Sequence, residues 1–360
     1  MTHVLVVRLD NAGDVLLAGP AVRAVAARAD RVTLLCGPHG TAAAGLLPGV
    51  DAVRTWHCPW IDPAPDRVSA EHVDELVTTV RAVAPDRALV LTSFHQSPLP
   101  TALVLRLAGV PWVGAASDDY PGSLLDLRHR PPEGVHEVER ALSLAAAAGF
   151  PLPEGDDRRL AVRAQPCPPL PWAENFVVLH PGASVPARAW PERRWQELGR
   201  LLADRGRRVV VTGGPAERAL TGAVAAAYGP GDVVDLGGRT SLGELAGVLA
   251  AASAVVAANT GPAHLAAAVG TPVVSLFAPT VSFEGWRPWG VPVIALGRGD
   301  SECRGTRVAE CPFPGHPCLS SVTATEAARA VDALAPQTSM SPSAGVSGMP
   351  VALVETVRGG

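Results

Sequence analysis

The sequence predicts an α/β protein made of two doubly wound halves, and three observations predict it. Short apolar runs alternate with stretches of helical periodicity, the pattern of parallel strands joined by crossover helices. A Pro-rich passage, "FPLPEG" through "QPCPPLPWAE", interrupts that rhythm once, as a linker does, and the rhythm then restarts. Finally, 360 residues exceed what one hydrophobic core usually holds.

The first half opens with "HVLVVRL", a buried strand closed by a Gly-containing turn. The apolar-periodic "VLLAGPAVRAVAARA" follows as a helix, and "RVTLLC" as the next strand. The alternation continues through "RALVLTS", "PTALVLRLAG" and "VPWVGA". After the linker come "NFVVLHPG", the helix "PERRWQELGRLLADRG", "RRVVVTGG", the helix "PAERALTGAVAAAYG", "DVVDLGG", "SLGELAGVLAAA", "SAVVAANTG", "PAHLAAAVG" and "TPVVSLF". The expected organisation is a Rossmann-like half over 1–150, a linker over 151–175, a second Rossmann-like half over 176–322, a closing helix over 323–335 and a disordered tail over 336–360. The two halves share no repeat at the sequence level.

Composition narrows the function classes. A net charge of -4 gives no reason to expect nucleic acid as a partner. Every basic residue is Arg, so any single Arg is weighed against a chain-wide bias. The N-terminus "MTHVLVVRLDNAGDV" brings Arg8, Asp10 and Asp14 before a signal-peptide core could form. The uncharged run from Leu245 to Ala263 has membrane-spanning length, but Asn259, Thr260, Gly261 and Pro262 mark it as helix, short strand and turn. A cytoplasmic protein is therefore expected. Six cysteines in a chain this long do not suggest a secreted disulfide scaffold.

Ligands of open parallel sheets bind beyond the carboxyl ends of the strands. In the first half that place is "LDNAGD" (Leu9 to Asp14). In the second it is "HPGASVPARAWP", "TGGPAE", "LGGRTS" and "ANTGPAH", where glycines and polar residues concentrate. Backbone N–H groups and helix N-termini there would suit a nucleotide diphosphate. Taken alone, Asn259 or Thr260 only caps the helix that Pro262 begins. The other three loops on the same edge favour an anionic ligand.

The series "RLDNAGDVLLAGPAVRAV", "HPGASVPARAWPERRWQEL", "VVVTGGPAE" and "NTGPAHLAAAVGTPVVSLFAPT" resembles glycosyltransferase family 9, the ADP-heptose:lipopolysaccharide heptosyltransferases. The resemblance runs from about Val4 to Val322 in the expected order. It implies a GT-B fold, two Rossmann-like domains facing across a cleft, with the closing helix packing back toward the first domain. The acceptor would be bound mainly by the first half and the sugar nucleotide by the second. The implied reaction is an inverting, metal-independent transfer, by family default of heptose from ADP-heptose, with no cofactor. The acceptor class is a glycan, glycolipid or small molecule, and peripheral association with the inner face of the plasma membrane is compatible with it.

Carried over residue by residue, Asp14 of "GD", beside Gly13, matches the family's catalytic base. Alone it would be taken as a helix cap, and both roles are compatible because the dipole favours an ionised carboxylate there. Asp10 is the fallback base. Arg188 falls where the family usually has Lys on the donor phosphates, against the alternative of a surface Arg, and a guanidinium keeps the charge with a different reach. Ser184 is its hydroxyl neighbour. Glu217 matches an acid near the nucleoside ribose, against the alternative of an ordinary first-turn helix acid. Thr260, Gly261 and His264 match the last motif, with His264 expected to support the loop. Asn259 departs from the pattern: many members have Asp there, facing the sugar hydroxyls. Asn keeps an acceptor and gains donors but loses the charge.

The segment "CRGTRVAECPFPGHPCL" holds Cys303, Cys311, Cys318 and His316, which invites a zinc reading. The eight-residue step between the first two cysteines is not a usual ligand spacing, and a buried thiol cluster is expected instead. The competing functions are a GT-B sugar-nucleotide epimerase, whose acidic and His pairs are not seen as a set, and a non-catalytic nucleotide-sugar binder. A dehydrogenase is disfavoured because "LDNAGD" lacks the G-x-G-x-x-G spacing.

Overall fold

The computed structural model describes residues 1–62, 65–172, 175–228 and 231–336. The chain divides into two compact units after Arg163, inside the Pro-rich stretch. The tail expected to be disordered lies, apart from Pro336, outside the described residues.

The first unit is a six-stranded, all-parallel sheet. Its strands are β1 (His3–Arg8), β2 (Arg31–Cys36), β3 (Ala52–Thr55), β4 (Arg87–Val90), β5 (Trp112–Ala116) and β6 (Leu127–His129). They lie in the order β3-β2-β1-β4-β5-β6. β1 is central, paired with β2 through Val4↔Val32 and with β4 through Val4↔Arg87. Helices cover both faces of such a sheet, so its central strands are continuous apolar runs rather than alternating ones. The side chains of Leu5, Val7, Leu35, Val90 and Val113 form one core with Leu76, Val80, Ala102 and Leu105 of the crossover helices Ala70–Val83 and Leu99–Leu107.

The second unit repeats the architecture. Its strands are β7 (Phe176–His180), β8 (Arg208–Val211), β9 (Val233–Asp235), β10 (Ala254–Ala258), β11 (Val273–Leu276) and β12 (Val293–Leu296), in the order β12-β11-β10-β7-β8-β9. The strand order reverses between β7 and β10, which pair through Ala257↔His180. The run Leu245 to Ala263 resolves into the helix Leu242–Ala251, strand β10 and the start of the helix Gly261–Ala268. Among the described residues no helix is long and apolar enough to cross a membrane.

The closing helix, Ala324–Leu334, packs on the helix Glu192–Asp204 and on β10, β11 and β12 of its own unit. Its small buried face, Ala324, Ala327, Ala328, Ala330 and Val331, joins the core of Trp195, Leu198 and Leu202. Both oxygens of Asp332 are held by Arg205 and Arg207 at the end of the neighbouring helix. The linker contains no helix or strand among its described residues. It is fastened instead, by Arg23 bidentate on Asp156 at 2.9 Å and by the Arg163 N–H on the Leu46 carbonyl at 2.8 Å.

Candidate active site

Each unit gathers polar groups at the carboxyl end of its first strand, beside the strand-order reversal where ligands of open α/β sheets bind. In the first unit that group is built around Arg8, the last residue of β1, which is 3% exposed. Its Nε faces Asp10 Oδ2 at 2.9 Å. Its Nη2 donates to Asp14 Oδ1 at 2.9 Å and to Ser93 Oγ at 2.8 Å, and its Nη1 lies 3.5 Å from Glu137 Oε2. Burial works against the guanidinium's charge, but Asp10, Asp14 and Glu137 outweigh it and hold its pKa above the ordinary Arg value. Burial likewise pushes the Glu137 carboxyl up, with Arg8 opposing.

Local sequence explains the placement. Asn11 occupies the cap position of the helix Ala12–Leu17 without a side-chain bond, and Asp14 is the third residue of its first turn. The capping role considered for Asp14 is therefore not made: its carboxylate turns to Arg8. Glu137 begins the helix Glu137–Ala147, where His136 and Glu139 form a reciprocal capping pair. The two candidate bases differ. Asp10 is engaged at both oxygens, by Arg8 and by Gln96 Nε2, and its side chain is 10% exposed. The Asp14 side chain is 21% exposed, and its Oδ2 makes no bond among the described residues. Gly13 is the second residue of the same turn.

In the second unit the site is built mostly from backbone. Arg188 ends the short turn Pro186–Arg188 after β7, and its Nη1 donates to the Asn259 carbonyl at 3.1 Å, so the structure brings these two predicted residues together. The Cys-containing segment braces that turn. The Ala187 N–H bonds the Ala309 carbonyl at 2.9 Å, and His316 Nε2 lies 3.0 Å from the Ala187 carbonyl. Ser184 is exposed in the same loop. Cys303 and Cys318 are buried free thiols, and burial, with the two neighbouring thiols, pushes Cys318 up to about 11. Among the described residues no three His, Cys, Asp or Glu side chains are grouped to hold a metal ion.

Glu217 reaches back to accept the Gly214 N–H at 2.6 Å, and its Oε2 lies 3.9 Å from His180 Nε2. Gly182 makes room for it: a Cβ there would collide with the carboxylate. His180 ends β7, bonded through Nδ1 to Thr212 Oγ1 at 2.9 Å; burial lowers its pKa, with Glu217 opposing. Thr260 takes the cap position of the helix Gly261–Ala268 but makes no cap bond; its hydroxyl points at the Ala258 carbonyl, 3.5 Å away. His264 is buried in that helix. Asn259 explains its own departure from Asp. Its Oδ1 accepts the Ala278 N–H at 3.2 Å and its Nδ2 faces the Ala278 carbonyl at 3.5 Å, so a carboxylate would set an anion against that carbonyl.

Sequence reasoning did not single out Arg8, Ser93, Gln96, Glu137 or His180 as site residues. Arg8 carried a signal, a charge ending an otherwise apolar strand, whereas Glu137 and Gln96 carried none.

Set beside known proteins, residues 73–316 match the model of glycosyltransferase family 9 (heptosyltransferase). The chain belongs to this family. Asp10 and Asp14 lie before the matched segment. The chain is 41% identical over 149 residues to lipopolysaccharide heptosyltransferase 1 of Pseudomonas aeruginosa, a match covering 41% of each. It is 30% identical over 237 residues to lipopolysaccharide heptosyltransferase 1 of Salmonella typhimurium, covering 64% of this chain and 71% of the relative. The glycosyl transferase family 9 structure from Veillonella parvula superposes with a TM-score of 0.75 at 17% identity, covering 92% of this chain and 97% of that one. The E. coli heptosyltransferase WaaC with ADP gives 0.66 at 21%, covering 92% and 97%. These likenesses show the two-domain α/β fold of the heptosyltransferases, GT-B. The E. coli glycosyltransferase TibC, which is iron-containing, gives 0.53 at 17%, covering 92% and 76%.

Asn259→Asp should therefore lower stability rather than improve the site. Losing the donor to a buried carbonyl costs about 1–3 kcal/mol, read as an earlier urea transition with ADP affinity not improved.

Proposed function

We propose that this chain transfers heptose from ADP-heptose to a hydroxyl of a lipopolysaccharide-type glycan, by a single inverting displacement that needs no metal ion. Family membership supports glycosyl transfer, and the names of the relatives support heptose and lipopolysaccharide. The ADP held by the E. coli neighbour supports the nucleotide. The observation that carries the reading is the Asp14 carboxylate, anchored through one oxygen and open at the other at the end of β1.

A sugar hydroxyl is too weak an acid to attack unaided at neutral pH. In this mechanism Asp14 Oδ2 accepts its proton while the hydroxyl oxygen bonds to the anomeric carbon. The bond from that carbon to the diphosphate oxygen breaks, and ADP leaves with the electron pair. Arg188, beside the start of the helix Gly261–Ala268, offsets the charge growing on the diphosphate. Ser184, Thr260 and Gly261 line the phosphate edge, Glu217 meets the ribose hydroxyls, and His264 and Asn259 support the loop. Asp10 and Gly13 shape the acceptor side of the first unit. The reaction is placed in the cytoplasm, at the inner face of the plasma membrane when the acceptor is a glycolipid.

Asp14→Asn keeps size and leaves the donor residues untouched, so ADP affinity should persist while turnover falls at least about 10²-fold. Near-wild-type transfer by Asp14→Asn, with loss in Asp10→Asn, would move the base by four residues. Wild-type transfer by both would remove it from this loop.

For the donor side, ADP should bind the wild-type protein equally well in EDTA and in magnesium, and Arg188→Ala should weaken it by about 1.5–3 kcal/mol, the range for a hydrogen bond to a charged group. Calorimetric titration checks both. An absolute magnesium requirement would defeat the metal-free mechanism.

A further inference from the structure

We propose that Arg8 is the positioning residue for the base: its guanidinium holds Asp14 through Oδ1 so that Oδ2 faces the acceptor hydroxyl, and Ser93, Asp10 and Glu137 hold the guanidinium. This rests on Asp14 being the base. The geometry is specific. One nitrogen, Nη2, donates to both Asp14 at 2.9 Å and Ser93 at 2.8 Å, so the guanidinium cannot turn without releasing both. Nε lies 2.9 Å from an Asp10 oxygen and Nη1 3.5 Å from Glu137, both as ion pairs; Nε and Glu137 Oε2 make no hydrogen bond among the described residues. Four chain segments meet on one planar group: the end of β1 with its turn, the helix Ala12–Leu17, the loop after β4 and the start of the helix Glu137–Ala147.

Among the side chains only a guanidinium offers five donors in a fixed plane. An ammonium keeps the charge, but as a point charge it cannot hold this set at once. The consequence is kinetic. A base misplaced by about 1 Å can cost on the order of 10² in rate, although every residue of the reaction is still present. The rival account is that Arg8 only neutralises buried carboxylates and stabilises the fold.

The test is a double-mutant cycle. ADP release is followed with ADP-heptose and heptose-deficient lipopolysaccharide core for wild type, Arg8→Lys, Asp14→Asn and the double variant, with ADP affinity measured alongside. Arg8→Lys should lower kcat by about 10²-fold with the donor KM and ADP affinity unchanged. The double variant should be no slower than Asp14→Asn alone, because a residue acting through Asp14 has nothing left to act on. A wild-type kcat in Arg8→Lys, or losses that multiply in the double variant, would overturn the proposal in favour of the fold-only account.

If Arg8→Lys does not fold, Ser93→Ala replaces it in the same cycle. It removes one partner of Nη2 and no charge, and should lower kcat several-fold with no further loss in the Asp14→Asn background; an unchanged kcat overturns the proposal. Wild-type turnover in Asp14→Asn overturns the base itself. Loss there, with none in Arg8→Lys or Ser93→Ala, overturns the positioning role alone.

Discussion

The first unit is organised around one buried guanidinium. Arg8 sits at the end of the central strand, where water is excluded and an unpaired charge would cost several kcal/mol. Glu137 is as deeply buried as Arg8, so each is tolerable only in the presence of the other, while Asp10 and Asp14 add their charge from the partly exposed side. That mutual dependence ties together segments far apart in sequence, from Asp10 to Glu137. Replacing Arg8 with an apolar residue would leave several buried anions without compensation, which is why the positioning test uses Lys and Ser93→Ala.

The second unit solves a different problem with different means. In the proposed reaction the second unit holds a diphosphate, which brings its own negative charge, so that site needs donors and positive potential rather than carboxylates. Accordingly the edge between β7 and β10 is built from small residues, a helix start and Arg188, with side-chain amides tied to main chain. Glu217, after β8, is set back against Gly214 and His180. The Cys303–Cys318 segment serves this edge mechanically, by bracing the turn that carries Arg188.

Much of this was legible in the sequence, for physical reasons. Strands β1, β2, β4, β5, β7, β8, β10 and β11 are buried and spell apolar runs. Strands β3 and β6, at the edges of the first sheet, mix polar with apolar residues over three or four positions and carry little hydrophobic signal, whereas the apolar edge strand β12, "VIAL", was passed over although its signal was present. The closing helix was visible as a helix, but not its partner: an Ala-rich face fits many surfaces, and only the packing against Trp195 and Leu198 fixes it. At the strand ends, the turns that carry Asp14, Arg188 and Glu217 were legible by loop and spacing. Partners that arrive from distant segments were not: nothing local to Glu137 or Ser93 says that it will meet Arg8. Asn259 was noticed as a departure, but its reason, the two-point hold on Ala278, exists only in three dimensions.

Asp14 is open at a single oxygen, and the mechanism uses it as the only base, in one displacement with no covalent sugar-enzyme intermediate. Stereochemistry reports on that directly. The proton coupling at the anomeric carbon, measured by NMR on the product formed from ADP-heptose of defined anomeric configuration, distinguishes the outcomes. The account predicts a new glycosidic bond of configuration opposite to that of the donor. Retention of configuration would require two displacements or a different nucleophile, and would contradict it.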